Sequence, residues 1–294
     1  MKSVRISWGI VYLCFICTLQ YSCDNSSDIV PKVNNQDVHF SEDDVFADDV
    51  FEKMDGTIED DLEALTEVSF MPELLKTANQ VICKNITIEE PVDNSRFPKI
   101  ITIDYGEGCT VGNNNDTIVR KGKIIVELTK RMFQPGSKRI ITFHNYVVNG
   151  VQIEGIRTIT NEGVKTTGNI QYTIKLDKGK LIFPDGTTYT RTSHKVRTWT
   201  RGSTPEEDIV EVTGSCYGKN FNRVAYNRTI TDTITIKRCP NYDLRWEIVK
   251  GTVTSTIEEK SFVLDYGMGE CDRLVTVTRS GETKEIELSK IIRK

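Results

Sequence analysis

Residues 146–153 read Tyr-Val-Val-Asn-Gly-Val-Gln-Ile, which is two short β-type runs joined by Asn149-Gly150. An Asn-Gly pair supplies the positive φ angles that a tight two-residue hairpin turn requires. Asp185-Gly186 and Ser280-Gly281 stand in similar positions between other runs rich in threonine, valine and isoleucine. The turn chemistry therefore predicts that neighbouring strands pair as antiparallel hairpins.

From about residue 84 onward, apolar and polar residues alternate in many short runs, which is the pattern of half-buried strands. We expect strands at 121–130, 141–160, 169–176, 187–200, 208–214, 228–237, 245–256, 262–266, 274–278 and 284–288. Parallel pairing needs crossover connections of a dozen or more residues, and no long helical pattern lies between these runs. The predicted fold is mainly β, a long antiparallel up-and-down sheet. A twisted extended sheet, an open barrel and a sandwich all satisfy the pattern.

The first 22 residues have the features of a secretory signal peptide. Lys2 and Arg5 make a positive start, and Ile6–Leu19 is an uncharged apolar run of 14 residues. A membrane-spanning helix needs about 20 apolar residues, whereas the apolar part of a signal peptide has about 7–15. The run therefore predicts export rather than a membrane span.

The charge is concentrated in the segment that follows. Residues 24–70 carry 15 acidic residues against two lysines, whereas the rest of the chain has a net positive charge. Polar residues 23–40 predict a flexible tether, and residues 41–80 an acidic helical segment, with Ser41 as an N-cap before three acids. Residues 81–294 form the predicted β body. The overall net charge of −4 excludes a strongly basic nucleic-acid-binding protein.

A short pattern occurs twice in the β body, and a cysteine follows the Asp-Tyr-Gly string in each copy. Asp104-Tyr105-Gly106 is followed by Gly108-Cys109, and Asp265-Tyr266-Gly267 by Gly269 and Cys271. Another cysteine precedes each copy: Cys83 lies 26 residues before Cys109, and Cys239 lies 32 residues before Cys271. The repetition predicts two related β units, each with its own disulfide. The predicted pairs are Cys83–Cys109 and Cys239–Cys271, with Cys216 left as a small buried thiol.

The sequence also resembles a group of proteins. Ser22-Cys23, followed by Asp24 and Asn25, resembles the lipobox of bacterial lipoproteins, although Leu19 lies four residues before the cysteine instead of three. Together with the repeated Asp-Tyr-Gly pattern, it looks like uncharacterised cell-envelope lipoproteins of the Bacteroidota. The resemblance implies cleavage before Cys23 and attachment of acyl chains such as palmitate. It also implies an outer-membrane location, periplasmic or surface-facing, and no known activity.

The chemistry of the remaining residues favours binding over catalysis. The three histidines, His39, His144 and His194, are scattered, and the sequence contains no zinc, phosphate-loop or dinucleotide motif, so no metal or cofactor is predicted. The favoured function is a non-catalytic binding or scaffolding protein with an envelope protein or glycan as partner. The alternative is a glycan-directed hydrolase whose carboxylates, Asp104 and Asp265, converge only in three dimensions.

Two further predictions concern side chains that could line such a site. In a hydrolase, the two carboxylates would face each other across a pocket lined by Trp199 or Trp246. The basic stripe of Arg191, Lys195, Arg197 and Arg201, which alternates with Trp199 nearby, is predicted to be a solvated strand face. Contact of this stripe with anionic glycans is the alternative.

Overall fold

The computed structural model describes residues 45–47, 50–51, 83–91, 93, 95–111, 118–240 and 245–287. All of them belong to one compact unit. The predicted signal peptide, Cys23 and the predicted tether lie outside the described residues. No helix in the described part of the chain is long and apolar enough to cross a membrane.

The described chain is built from strands that form one sheet. Their bounds are β1 Asn85–Glu89, β2 Lys99–Asp104, β3 Cys109–Val111, β4 Ile118–Leu128, β5 Lys138–Val148, β6 Val151–Val164, β7 Ile170–Ile182, β8 Thr188–Thr200, β9 Ile209–Lys219, β10 Ala225–Cys239, β11 Arg245–Ile257, β12 Lys260–Met268, β13 Leu274–Arg279 and β14 Glu282–Glu287. A 3₁₀ turn, Pro205–Glu207, precedes β9.

The strand order confirms the predicted fold class. Every pair is antiparallel, and the strands follow chain order across the sheet, except that β3 pairs with β4 beside β2. The sheet does not close on itself. Of the three architectures that the sequence allowed, the structure is therefore an open extended sheet.

Two of the predicted hairpin turns have the expected backbone. Asn149 and Gly150 have φ angles of 47° and 86°, and Ser280 and Gly281 have 51° and 84°. The turn at Gly186 is longer than two residues. Within it, the carbonyl oxygen of Phe183 accepts a hydrogen bond from Gly186 N at 2.9 Å, which closes a four-residue turn. Asp185 stabilises this turn, because its Oδ1 atom accepts a hydrogen bond from the backbone N–H of Thr187, two residues later.

One face of the sheet forms the hydrophobic core. Ile103, Ile124, Leu176 and Leu264 are completely buried on it, whereas the residues that alternate with them are more exposed. The alternation follows from the twofold repeat of a strand, which sends successive side chains to opposite faces. The polar alternate positions therefore leave the opposite face of the sheet largely in contact with solvent.

Part of the predicted acidic helical segment is described and is helical. At 45–47 and 50–51 the chain is α-helical, and Val45, Ala47 and Phe51 are at most 3% exposed within the hydrophobic core. The ring of Phe46 lies 5.7 Å from that of Phe183 at the end of β7. The helix thus contributes apolar side chains to the core face, although most of its sequence neighbours are acidic.

Candidate functional site

The predicted disulfides are both present. Cys83 is bonded to Cys109 and Cys239 to Cys271, and Cys216 is a free, buried thiol. The repeated pattern therefore identified the correct pairing out of the several that five cysteines allow. Each disulfide fixes the segment around one copy of the pattern to a neighbouring part of the sheet.

The two copies of the pattern share one local hydrogen bond. The Oδ1 atom of Asp104 accepts a hydrogen bond from Gly106 N at 2.9 Å, and Asp265 accepts one from Gly267 N at 2.9 Å. The tyrosine between each pair is buried. Each aspartate therefore caps a glycine amide, at the end of β2 for Asp104 and within β12 for Asp265, a role that requires no catalysis.

The structure does not bring these two carboxylates together. Asp104 ends β2 and Asp265 lies on β12, so the eight strands from β4 to β11 separate them. With about 4.8 Å per strand, the separation along the sheet is about 43 Å. Lys123 forms an ion pair with Asp104 at 2.8 Å, and its hydrogen bond lowers the pKa of that carboxyl. Asp104 and Asp265 therefore do not form the catalytic pair of a hydrolase.

The prediction of a solvated face for the basic stripe is wrong for Arg191 and Arg197 and correct for Arg201, which is exposed. Arg191 is 2% and Arg197 8% exposed, because alternation along β8 places them on the same face as buried Tyr189. The Arg191 guanidinium lies 5.2 Å from the ring of Phe51 and donates to the hydroxyl of Tyr226 at 3.3 Å. Arg191 and Arg197 therefore belong to the core face, where aromatic rings contact Arg191.

Other arginines share this environment. Arg139, Arg157 and Arg228 are at most 5% exposed, on strands β5, β6 and β10. Sequence reasoning missed them because arginine is expected on solvated faces. Their positions along the strands could have predicted burial, because residues two apart point to the same face of a sheet. Arg157 stands two residues before the buried Ile159, and Arg228 stands two residues after the buried Tyr226.

A cavity opens on the core face where β8 to β12 are irregular. The pairing of β9 with β10 breaks between Thr229 and Ile234, and Gly214 and Gly251 adopt φ angles of 129° and 109°. A Cβ atom at Gly214 would lie 2.3 Å from the carbonyl oxygen of His194, so this position accepts only glycine without a shift of the backbone. Such bulges kink the strands and disturb the close packing of the core.

The cavity is small: the space open to the centres of water-sized molecules is about 30 Å³, whereas a single water needs roughly 10–15 Å³ by the same measure. Its described lining residues are Lys195, Val212, Gly214, Ser215, Cys216, Arg228, Ile230, Ile234, Ile236, Ile248, Val253 and Tyr266. Neither Asp104, Asp265, Trp199 nor Trp246 is among them. The sequence did not predict this site, because its residues come from five strands.

The polar part of the lining is cationic. Arg228 and Lys195 contribute positive charge, and none of the described lining residues is acidic. Arg228 and Tyr266 are both 2% exposed in this lining, and each makes contacts within the chain. The cavity thus combines apolar walls with buried positive charge.

No family model, curated protein or solved structure matches this chain.

Proposed function

We propose that this chain is a lipid-anchored protein of the cell envelope with a non-catalytic binding role. The observation that carries the proposal is the cavity between β8 and β12, whose lining is apolar and cationic. Such a lining suits the recognition of a ligand by burial and charge. The described lining residues contain neither a carboxylate nor a histidine to act as a general base beside the Cys216 thiol.

Two features support the location. The Cys83–Cys109 and Cys239–Cys271 disulfides persist in the oxidising compartments that exported proteins reach. The sequence before Cys23 has the charge and the apolar length of an export signal. Acylation of Cys23 with two or more chains would supply a stable anchor, since each buried methylene contributes about 0.8 kcal/mol. The proposed location is the outer membrane, on its periplasmic or surface-exposed side.

The sheet also supports a scaffolding contribution. Among the described strands, β1 and β14 each pair with one neighbour only, so each presents an edge of backbone donors and acceptors. An edge of this kind can accept a strand from another protein. An envelope protein is therefore a proposed partner, in addition to a ligand in the cavity.

Metabolic labelling with an alkyne analogue of palmitate tests the anchor. The wild-type chain and a Cys17→Ser control should be labelled and should partition with membranes, because Cys17 lies inside the signal. Cys23→Ser should lose both properties. Undiminished labelling of Cys23→Ser would refute the lipid anchor.

Mass spectrometry of the purified protein tests the binding role separately. Extraction of the wild-type protein with organic solvent should release a small molecule in a fixed molar ratio. A Val253→Phe variant, which places a larger side chain in the cavity wall, should release less of it. Equal yields from both proteins, or no molecule from either, would count against a binding role of this cavity.

A further inference from the structure

An exposed arginine at one end of the sheet lies between two aromatic rings. Arg201 directly follows β8, and the central carbon of its guanidinium lies 4.7 Å from the ring centroid of Trp199. The ring of Phe133, in the loop between β4 and β5, lies 5.4 Å from the same carbon. Two ring contacts restrict a side chain that otherwise samples many rotamers. Arg201 therefore presents its N–H donors to solvent in a restricted orientation.

The carboxylates in the loop that follows Arg201 accept hydrogen bonds from other groups. Asp208 is 8% exposed and accepts one from Trp199 Nε1 at 3.0 Å. Glu207 accepts one from a backbone amide at 2.8 Å, and Glu206 accepts one from a threonine side chain. In the described part of the chain, the guanidinium of Arg201 has neither an ion pair nor a hydrogen bond. Its positive charge is therefore not neutralised by these neighbours.

The loop that carries Phe133 adds three more cations. Residues 129–138 contain Lys130, Arg131 and Lys138 and no acidic residue, and these three residues are exposed. None of their side chains forms an ion pair or a hydrogen bond with another described residue. Arg201, Lys130, Arg131, Lys138 and the ring of Phe133 together form a surface that we call the Arg201 patch.

Hydrogen bonds hold the loop of the Arg201 patch in place. The hydroxyl of Ser137 donates to the carbonyl of Met132 at 2.8 Å, and the side-chain amide of Asn161 on β6 donates to the same carbonyl at 3.3 Å. The carbonyl of Asn161 accepts from Gly136 N at 2.7 Å. Met132, Ser137 and Asn161 are buried. A ligand of the patch therefore does not have to order this loop when it binds.

We propose that the Arg201 patch binds an acidic polysaccharide whose sugars carry carboxylates. An edge of the Arg201 guanidinium matches the two oxygens of one carboxylate, and Lys130 and Lys138 supply point charges for others along the polymer. The 45% exposed ring of Phe133 supplies apolar contact area for a sugar ring. The fixed loop favours a ligand with regularly spaced charges over a fluid lipid surface.

This inference goes beyond the proposed cavity ligand. None of the residues of the Arg201 patch lines the cavity between β8 and β12. Failure of one binding role therefore leaves the other unchanged, and the palmitate labelling of Cys23 tests neither of them.

Isothermal titration with hexagalacturonate tests the proposal. The lipidated full chain is kept in micelles of an uncharged detergent, and maltohexaose is the neutral comparison ligand with the same number of sugars. We expect saturable binding of hexagalacturonate and no binding of maltohexaose. The affinity for hexagalacturonate should fall several-fold when salt is raised from about 0.05 M to about 0.2 M, because salt screens exposed charges.

Substitutions in the Arg201 patch test the position of the ligand. Arg201→Gln should weaken hexagalacturonate binding about tenfold or more, because it removes a charge-assisted bidentate contact. Arg223→Gln is the matched control with the same change of charge, since Arg223 is exposed in the turn between β9 and β10, at the other end of the strands. Phe133→Ala keeps the charge but removes one ring beside Arg201, so it should weaken binding about threefold.

Several outcomes would overturn the proposal. They are the absence of saturable hexagalacturonate binding, equal binding of maltohexaose, tighter binding of a sulfated hexasaccharide, and equal effects of Arg201→Gln and Arg223→Gln. If Arg201→Gln does not fold, the double variant Lys130→Gln/Lys138→Gln decides: a loss of about tenfold supports the patch, and unchanged affinity overturns it.

Two other occupants of the Arg201 patch are distinguished by the same proteins. Flotation with phosphatidylglycerol vesicles that exceeds flotation with phosphatidylcholine vesicles, and loses this excess in Arg201→Gln, would assign the patch to a membrane surface if hexagalacturonate does not bind. Carbodiimide cross-links from Lys130 or Lys138 to the acidic residues of 24–70 would assign it to the chain's own acidic segment. Either result overturns the polysaccharide.

Discussion

Asp104 and Asp265 make the same hydrogen bond at opposite ends of the sheet. Each carboxylate accepts from the amide of the glycine two residues later at 2.9 Å, yet eight strands lie between them. Only Asp104 also has an ion pair among the described residues, with Lys123. Substitution of Asp104 therefore measures the contribution of the ion pair, and substitution of Asp265 is the control for the hydrogen bond alone.

We expect Asp104→Asn to destabilise the protein slightly at pH 7, by about 1 kcal/mol or less, because the ion pair is partly exposed. The hydrogen bond from Lys123 lowers the pKa of Asp104, so the folded state favours the ionised carboxyl. This contribution is present above the unfolded pKa and is lost as the pH falls. Urea denaturation should therefore show the two proteins converging between about pH 5 and pH 2.

Asp265→Asn is the control for the turn. Its amide oxygen can still accept the hydrogen bond from Gly267, and no ion pair of Asp265 is found among the described residues. We expect a smaller loss of stability at pH 7 than in Asp104→Asn. A larger loss in Asp265→Asn would show that the turn, and not the ion pair, determines the difference.

Tyr226 provides a second pH-dependent prediction, at the alkaline end. Burial raises the pKa of its phenol to about 12. Between about pH 10 and pH 12 the folded state therefore keeps this proton, whereas the unfolded state releases it. The contribution of Tyr226 to the free energy of unfolding is complete below about pH 10 and declines as the pH rises from about 10 to 12. When the absorbance of tyrosinate is followed as the pH rises, the component that appears at the highest pH should be absent in Tyr226→Phe.

The same variant should lose stability at pH 8. The hydroxyl of Tyr226 donates to the carbonyl of Thr190 at 3.0 Å and accepts from Arg191, so its removal leaves a part-buried carbonyl and a buried guanidinium without this partner. We expect a loss of about 1–3 kcal/mol. Tyr217→Phe is the control, because Tyr217 is 58% exposed and should change stability by less than about 0.5 kcal/mol. Equal effects of the two substitutions would contradict this assignment.

The sequence was informative where local chemistry determines structure. Asn149-Gly150 requires positive φ angles, and the repeated Asp-Tyr-Gly pattern distinguishes the cysteine pairs, so the hairpins and disulfides could be predicted. It was uninformative where distant strands meet. Whether Arg228 is solvated or buried depends on the bulge in β10 and on the neighbours that the register brings beside it. Composition alone assigns arginine to the surface, and this is why the cavity was missed.

Phe51 tests the docking of the N-terminal helix on the sheet. Its ring is 1% exposed and lies against the guanidinium of Arg191 on β8. Phe51→Ala should lower the free energy of unfolding by about 3–5 kcal/mol, the usual loss for a buried aromatic ring. Thermal unfolding followed by circular dichroism measures the change.

Phe133→Ala serves as the matched control for Phe51. The Phe133 ring is 45% exposed, although it also lies near an arginine, Arg201. Its removal should cost less than about 1 kcal/mol, because little apolar area is returned to water. Similar losses of stability in Phe51→Ala and Phe133→Ala would show that the buried ring of Phe51 contributes no more to stability than the exposed ring of Phe133.

Removal of each disulfide tests the architecture at the two ends of the sheet. The Cys83–Cys109 and Cys239–Cys271 bonds close segments with sequence separations of 26 and 32 residues. In the chain-entropy treatment, each stabilises the fold by about 3–4 kcal/mol by restricting the unfolded chain. Paired Cys→Ser substitutions should therefore lower the urea midpoint by similar amounts, whereas Cys216→Ala, which breaks no bond, should have a smaller effect. Peptide mapping without reduction must recover these two linkages, and any linkage to Cys216 would contradict the assignment.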